Sequence, residues 1–360
     1  MLKKGDRKLS QNRGKTRSGK KGLPLILKIV ITFFITIAFV VVAILGVIFV
    51  LEKGPSESAK VLFVKSCDET SAMKWIPHIF LKDAEVEKIL STSDMATVDE
   101  GVVTDSDQIN VNNSPSQEIE ILDVVGGSYK GKLMIVHDPA RVFLGTVESF
   151  GEFQGTVVSE IAERYDGVVG GVNGGDFLDM GSYSYTALPL GCIISSGYNP
   201  DGEVVYEDNG YDASYHIAGF TRDNKFFMGN ITLNEAINTY GIRDCVYTAH
   251  NTGPFLVMNG EALINEVPDS ATYGGGKNPR TAIGQRADGS VLLLVVDGRQ
   301  ADSLGATFKD LAYIMLEYGA VNACAMDGGT SSQMVYNGEI LNHPYSPTGP
   351  RKCPTAWLVR

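Results

Sequence analysis

VLLLVVDGR, residues Val291–Arg299, sets six apolar residues against an Asp-Gly turn. A short, fully apolar run closed by turn residues reads as a strand buried in a core, with Asp297 delivered at its end and Gly298 letting the backbone bend sharply. The same layout recurs outward from it. Lys132–Val136, Val168–Val172 and Gly191–Ser195 are apolar runs bounded by Gly, Asn or Asp, and all read as strands. With 40 glycines in 360 residues, tight turns are frequent and a β-rich mixture is favoured over a helical bundle. Two helices interrupt the strands, Val157–Tyr165 and Phe308–Tyr318. In the second, Phe308, Leu311, Ala312, Met315 and Leu316 share one face, and Thr307 caps the start with Asp310 three residues on. LVMNGEAL (Leu256–Leu263) and MVYNGEIL (Met334–Leu341) echo each other. Asn259-Gly260 and Asn337-Gly338 supply the positive φ that two-residue hairpin turns require, so both read as hairpins.

The N-terminal part is organised differently. Residues 1–28 carry ten Lys/Arg against Asp6 alone, and Ile29–Leu51 follows as 23 residues without a charge. At ~1.5 Å per residue that run is long enough for a bilayer core of about 30 Å. The basic residues ahead of it place the N-terminus in the cytoplasm and everything after Glu52 outside. A cleaved signal peptide is the competing reading, but the run is long and its flank, Leu51 to Gly54, lacks a small-x-small site. Beyond it, Val61–Val64 reads as a short strand and Lys82–Leu90 as a short helix. TDSDQINVNNSPSQ (Thr104–Gln117) is polar and turn-forming, and reads as a linker or exposed loop. The expected organisation is therefore a basic tail (1–28), a transmembrane helix (29–51), a juxtamembrane region with a polar linker (52–118) and a catalytic domain (119–360).

The formal net charge is −11, and the chain beyond residue 28 carries 21 basic and 41 acidic residues. That excess of acid argues against nucleic acid as a partner. Cys67, Cys192, Cys245, Cys324 and Cys353 show no metal-type spacing, and an odd number cannot all pair within one chain. The five histidines are dispersed, and no Walker A loop, G-x-S-x-G elbow or H-E-x-x-H helix is present.

Three glycine-rich turns carry the candidate chemistry: VNGGDF (Val172–Phe177), VDGR (Val296–Arg299) and MDGGTSS (Met326–Ser332). Each brings a carboxylate or amide to a strand end, and its glycines expose N–H groups that suit an anion. Singly, such dipeptides are ordinary turn chemistry. Together with Arg280 and Arg299, whose forked guanidinium matches phosphate oxygens, they supply what cleavage of a glycosyl phosphodiester needs. One carboxylate would act at the anomeric carbon and a second would assist departure; the leaving phosphate relies more on fixed positive charge than on protonation.

On VNGGDF, on GIRDCVYTAHNTGPFLVMNGEAL (Gly241–Leu263), on NPRTAIGQRADGSVLLLVVDGRQ (Asn278–Gln300), on GATFKDLAYIMLEYGAVNACAMDGGTSSQM (Gly305–Met334) and on RKCPTAWLV (Arg351–Val359), the chain resembles the phosphodiester glycosidases. The match runs from about Ile119 to Arg360 and looks closest to bacterial, single-anchor members associated with exopolysaccharide or envelope glycopolymers. It implies an α+β fold, a β-rich mixed-sheet catalytic domain with a few helices. It also implies a pocket made by Asn173, Gly174, Gly175, Arg280, Thr281, Asp297, Arg299, Asp327, Gly328, Gly329 and Ser331. Asp176 and Thr330 depart from the family pattern within the same pocket, Thr330 adding a side chain where the family's turn has glycine. Cys353 stands where the animal members have a cysteine.

The expectation is that Asp297 and Asp327 are the working carboxylates and that Arg280 and Arg299 clamp the phosphate. No cofactor is expected, with Ca²⁺ or Mg²⁺ on Asp176, Asp179 and Asp327 as the alternative. The competing function is a non-catalytic envelope protein that binds anionic glycopolymer through the same loops.

Overall fold

The structure is a computed structural model that describes residues 23–360 except 71, 93–94, 112–115, 180–183, 249–252, 265–274 and 347–348. The basic tail therefore lies, up to residue 22, outside the described residues. The chain divides into two compact units, Met1–Val50 and Leu51–Arg360. The first is dominated by one continuous helix, Leu25–Lys53, which extends the expected apolar run at both ends. Exposed apolar side chains such as Phe33, Phe39 and Val42 are spread along it.

At the start of the second unit, Val61–Val64 belongs to a helix, Glu57–Asp68, and not to a strand. Ser56 caps that helix by accepting a hydrogen bond from the Ala59 N–H. Val61 and Val64 pack with Leu81, and with Val86 and Ile89 of the helix Asp83–Leu90, in a small satellite core. Four apolar residues are too few to distinguish the two periodicities, and the i, i+3 spacing of the buried positions decides for helix. The polar stretch from Thr104 is laid against the body. Thr104 exchanges hydrogen bonds with Met228, Asn110 N–H donates to Ala287 O, and Ile109 is buried.

Among the described residues, three larger antiparallel sheets make the body, and Phe177–Asp179 pairs with Ser184–Pro189 as a small fourth. Sheet I has seven strands in the spatial order Ile119–Val125, Lys130–Val136, Val291–Val296, Arg280–Arg286, Ala320–Met326, Phe255–Met258, Glu261–Ala262. Sheet II runs Phe226–Thr232, Ser214–Thr221, Ile242–Tyr247, Cys192–Ser195, Glu203–Glu207. Sheet III runs Glu339–Ile340, Met334–Tyr336, Gly170–Asn173, Thr355–Val359, Val142–Thr146. A β-rich α+β fold follows, as expected.

Val291–Val296 explains its own composition. Val291, Leu293 and Val295 enter the central core with Val172, Phe220, Met326 and Trp357, whereas Leu292, Leu294 and Val296 face the other way. There they meet Leu311, Ala312 and Met315 of the helix Phe308–Glu317. Side chains alternate across a strand, so a strand covered on both faces must be apolar throughout. Each fully buried Leu or Val contributes roughly 1.5–3 kcal/mol. Thr307 and Asp310 form the expected cap: Thr307 Oγ1 accepts from Asp310 N–H at 3.0 Å, and Asp310 Oδ2 accepts from Thr307 N–H at 2.9 Å. Both Asn-Gly turns adopt positive φ at each residue, 55° and 83° at Asn259-Gly260, 50° and 79° at Asn337-Gly338. The helix expected over Val157–Tyr165 is confined to Val158–Ala162, and Tyr165 instead accepts a hydrogen bond from Thr146 N–H.

A buried charge pair fastens sheet II to sheet III. Asp244 Oδ1 accepts from the Leu144 and Ser196 N–H groups at 3.1 and 2.6 Å, and its Oδ2 is paired with Arg243, which donates to Val142 O at 2.8 Å. Removing one member leaves a charge buried without its partner. Asp244→Ala should lower unfolding free energy by about 3–5 kcal/mol, against about 1 kcal/mol for loss of the cap in Thr307→Ala. Urea denaturation measures both; equal effects would mean that the pair is not the fastener.

Candidate active site

The middle strand of the site is Arg280–Arg286, whose first residues pair with the last residues of both neighbours, Arg280 with Val296 and Thr281 with Met326. The turns beginning at Asp297 and Asp327 therefore emerge at one end of sheet I. Two strand spacings, about 10 Å in all, separate their backbones. Sheet III reaches the same place through Asn173, which pairs with Ala356. The fully buried Asn173 carboxamide donates to Asp327 O at 2.6 Å and accepts from Thr281 Oγ1 at 2.7 Å and from Gln333 N–H at 3.2 Å. Asp327 N–H in turn donates to Gly174 O at 3.2 Å.

The glycines serve close approach more than anion capture. A Cβ at Gly174 would lie 2.3 Å from Thr355 Oγ1, at Gly175 2.8 Å from Val246 Cβ, and at Gly298 2.5 Å from Pro279 N. Several N–H groups that the sequence offered as an anion cradle are already engaged. Gly174 donates to Thr355 O, Gly175 to Thr355 Oγ1 and Gly329 to Pro279 O. Backbone packing between two sheets takes precedence over ligand binding at these positions.

Asp327 is half-buried, but its Oδ2 is sealed from solvent with no hydrogen-bond partner among the described residues, as is the hydroxyl of the buried Ser331. Burial, and then the charge of Asp176, push the Asp327 carboxyl up to about 7; Ser331 and Arg351 pull it down in part. Asp176 is itself buried. Asp297 stands apart from this pair. Its Oδ1 accepts from Asn342 Nδ2 at 2.9 Å and from His343 N–H at 3.0 Å, and Asn342 also donates to Ser332 O. The carboxyl brought to bear on Asp327 is thus Asp176, where the sequence had nominated Asp297.

Arg280 is engaged through Nε, Nη2 and the face of its guanidinium. Its Nε donates to Ala306 O, its Nη2 to Gly276 O and to the Glu69 carboxylate, and its face lies 3.9 Å from the centroid of Phe308. Glu69 also accepts from Gly276 N–H at 2.6 Å and Asn278 Nδ2 at 2.8 Å. A carboxylate of the chain's own N-terminal region thus holds the guanidinium that the sequence had reserved for phosphate. Arg299, at φ 58°, donates to Asn278 Oδ1 and Glu69 O, and its guanidinium lies beside Gly329. Burial, and then Arg280, lower its pKa.

Arg351 was not among the nominated residues. It donates to Thr330 Oγ1 at 3.2 Å, Asp179 Oδ2 at 2.7 Å and Ser184 Oγ at 3.0 Å, and lies 4.9 Å from the centroid of Phe177. Its one sequence signal was its place at the head of RKCPTAWLV; Glu69, upstream of every motif, had none. Of the acids considered for a cation, Asp176 and Asp179 both act on Asp327, but Asp179 is paired with Arg351. Among the described residues, Glu118, Glu120 and His137 hold ligand atoms within 4.8 Å of one another. That trio lies at the far end of sheet I, since Val136 pairs with Val291.

A three-sheet α+β body presenting paired carboxyls and guanidiniums at converging strand ends is the class these observations define. The phosphodiester glycosidase family profile matches residues 166–360, more than half of the chain, and the chain belongs to that family. It is 45% identical over 160 residues to the SPbeta prophage-derived uncharacterized protein YomE of Bacillus subtilis, covering 42% of this chain and 25% of that one. With the Bos taurus N-acetylglucosamine-1-phosphodiester alpha-N-acetylglucosaminidase it shares 27% identity over 134 residues, 35% of this chain and 25% of the relative. The matched segment thus spans about a quarter of these curated relatives. The auto-inhibited catalytic domain of the zebrafish enzyme of that name shares the fold, at a TM-score of 0.52 and 24% identity over 69% of this chain and 84% of that one.

Because its pKa is raised on folding, Asp327 keeps a proton that the unfolded chain releases above about pH 4. Its contribution to stability therefore falls as pH rises from about 4 to about 7 and is level beyond. Asp327→Asn removes this slope. Melting temperatures measured from pH 5 to 8.5 should show the variant gaining on the native chain as pH rises; parallel curves would refute the raised pKa.

Proposed function

We propose that this chain hydrolyses the glycosidic bond of a sugar-1-phosphodiester. The observation that carries the reading is the sealed Oδ2 of Asp327, without a hydrogen-bond partner among the described residues, whose carboxyl burial and the charge of Asp176 push up to about 7, the range a general acid near neutral pH requires. In this reading Asp327 exchanges the proton with the glycosidic oxygen, and Asp176 meets the positive charge that develops at the anomeric carbon. The bond from that carbon to the phosphate oxygen breaks with the Asp327 proton passing to that oxygen, water adds its hydroxyl to the carbon and returns a proton to Asp327, and the phosphate monoester departs as an anion. Arg299, beside Gly329, stabilises that anion. Asp297 supports the Asn342–His343 turn and takes no part in proton transfer.

We further propose that the helix Leu25–Lys53 spans the membrane, with the basic tail in the cytoplasm and the catalytic unit outside. Its 29 residues reach about 44 Å at ~1.5 Å each, enough for the hydrocarbon core. The lysine and arginine excess on its N-terminal side supports this orientation. An envelope or exopolysaccharide glycopolymer with sugar-1-phosphodiester linkages is then the substrate within reach.

Sugar release from a synthetic sugar-1-phosphodiester tests the assignment. Asp327→Asn and Asp176→Asn should each lower kcat by about 10²- to 10⁴-fold, the range for loss of a general acid or base. Asp297→Asn should act chiefly on melting temperature. Full turnover in both of the first two variants would exclude the carboxyl pair. Saturable polymer binding without sugar release over hours would favour the non-catalytic reading instead.

A further inference from the structure

Three guanidiniums stand around the Asp327–Ser331 turn, and Arg280 and Arg351 differ in how far a ligand could reach them. Arg280 donates from Nε to Ala306 O and from Nη2 to Gly276 O and to Glu69, which already balances its charge, and its side chain is only 6% exposed. The Arg351 side chain is 25% exposed. Of the five N–H donors a guanidinium carries, Nε and the second Nη1 hydrogen of Arg351 have no partner among the described residues. Its backbone is fixed independently, because Gln333 Nε2 donates to Arg351 O at 2.8 Å while Gln333 N–H donates to the Asn173 carboxamide. The arginine is therefore held in place from behind with donor capacity to spare.

We propose that Arg351 is a substrate-contacting residue that takes a non-bridging oxygen of the phosphodiester next to Asp327, with Thr330 and Asp179 as its positioning residues. This deepens the reading of the site as a phosphodiester glycosidase and rests on it. Thr330 Oγ1 accepts from Nη1 and Asp179 and Ser184 from Nη2, so the fork is turned and braced before any ligand arrives. Phe177 carries the face of the guanidinium at 4.9 Å, a further restraint on its plane. The positive charge of Arg351 also reaches Asp327 and Arg299, which ties phosphate binding to the protonation of the acid. Bond cleavage puts extra negative charge on the departing phosphate, and the guanidinium is placed to meet it.

Titration calorimetry of the full chain in detergent, with inorganic phosphate as the probe, tests binding apart from turnover. Arg351→Gln should weaken phosphate binding by about 10- to 100-fold, as expected for loss of charge-assisted hydrogen bonds. Arg351→Lys should fall between, keeping the charge and losing the fork. On a sugar-1-phosphodiester, Arg351→Gln should raise KM and move the limb of the pH–rate profile that reports Asp327 to higher pH. Thr330→Val should raise KM by a smaller factor with little change in melting temperature. Equal phosphate affinity in native chain and Arg351→Gln, or no phosphate binding by either, overturns the proposal. If the native chain binds phosphate through Arg351 yet releases no sugar, Arg351 stands as the anion contact and the glycosidase reading fails. Turnover in the native chain with unchanged KM, pH limb and phosphate affinity in Arg351→Gln leaves the glycosidase reading standing and removes Arg351 from it.

Discussion

The carboxamide of Asn173 is the constraint on which the site depends. It sits at the end of a sheet III strand, fully buried, and its hydrogen bonds reach Thr281 and Asp327 O of sheet I and Gln333 N–H of the return into sheet III. A buried amide must satisfy both its donor and acceptor sides, so the sheets can approach here in only one arrangement. That arrangement sets Gly174 against Thr355 and Gly175 against Val246, distances no side chain tolerates. Asp176 follows immediately, and its separation from Asp327 is inherited from that contact. The glycines and the asparagine are thus one device, a rivet between sheets whose by-product is an acid, Asp176, whose charge acts on Asp327.

That arrangement has an electrostatic cost, which shows as a raised pKa at Asp327. Burial opposes charge on Asp327, Asp176 opposes it further, and the opposing influence of Ser331 and Arg351 is too weak to reverse them. The Arg243–Asp244 pair uses the same two charge types differently. There each Asp244 oxygen is occupied by a backbone amide, a hydroxyl or the guanidinium, and the pair serves as a fastener. The sealed Oδ2 of Asp327 has no such complement. Satisfied charge holds the fold together, and unsatisfied charge marks where chemistry is available.

Much of the fold was legible because local rules and packing agree. Val291–Val296, the Phe308 helix with its Thr307–Asp310 cap, and the two Asn-Gly hairpins each have one reading, and the structure has that reading. Val61–Val64 had two, and tertiary packing chose. The site was legible as a set of strand ends, since Asp297, Asp327, Arg280 and Asn173 do meet at one end of sheet I. Which acid faces which was not. Asp176 lies 151 positions before Asp327 and Asp297 only 30, so nothing short of the register between sheets could have preferred the farther one. Arg351 and Glu69 escaped for a related reason: each acquires its partners only through contacts distant in sequence.

Glu69 shows how a region outside the family's matched residues shapes the site. Its carboxylate takes hydrogen bonds from Gly276 N–H, Asn278 and Arg280, and its carbonyl takes one from Arg299. Arg280 is nearly sealed, and a sealed guanidinium without a carboxylate would carry a desolvation cost with no return. The helix Glu57–Asp68 ends one residue before Glu69, so its cap geometry sets where that carboxylate stands. Arg280, Asn278 and Arg299 thus derive part of their arrangement from a helix whose apolar side chains pack with Leu81 and the Asp83–Leu90 helix. A shift of that small satellite core would be felt at Arg280 and Arg299 through Glu69. The guanidinium best placed to keep its position through such a shift is Arg351, whose partners Thr330, Asp179, Ser184 and Gln333 all belong to the region the family profile matches.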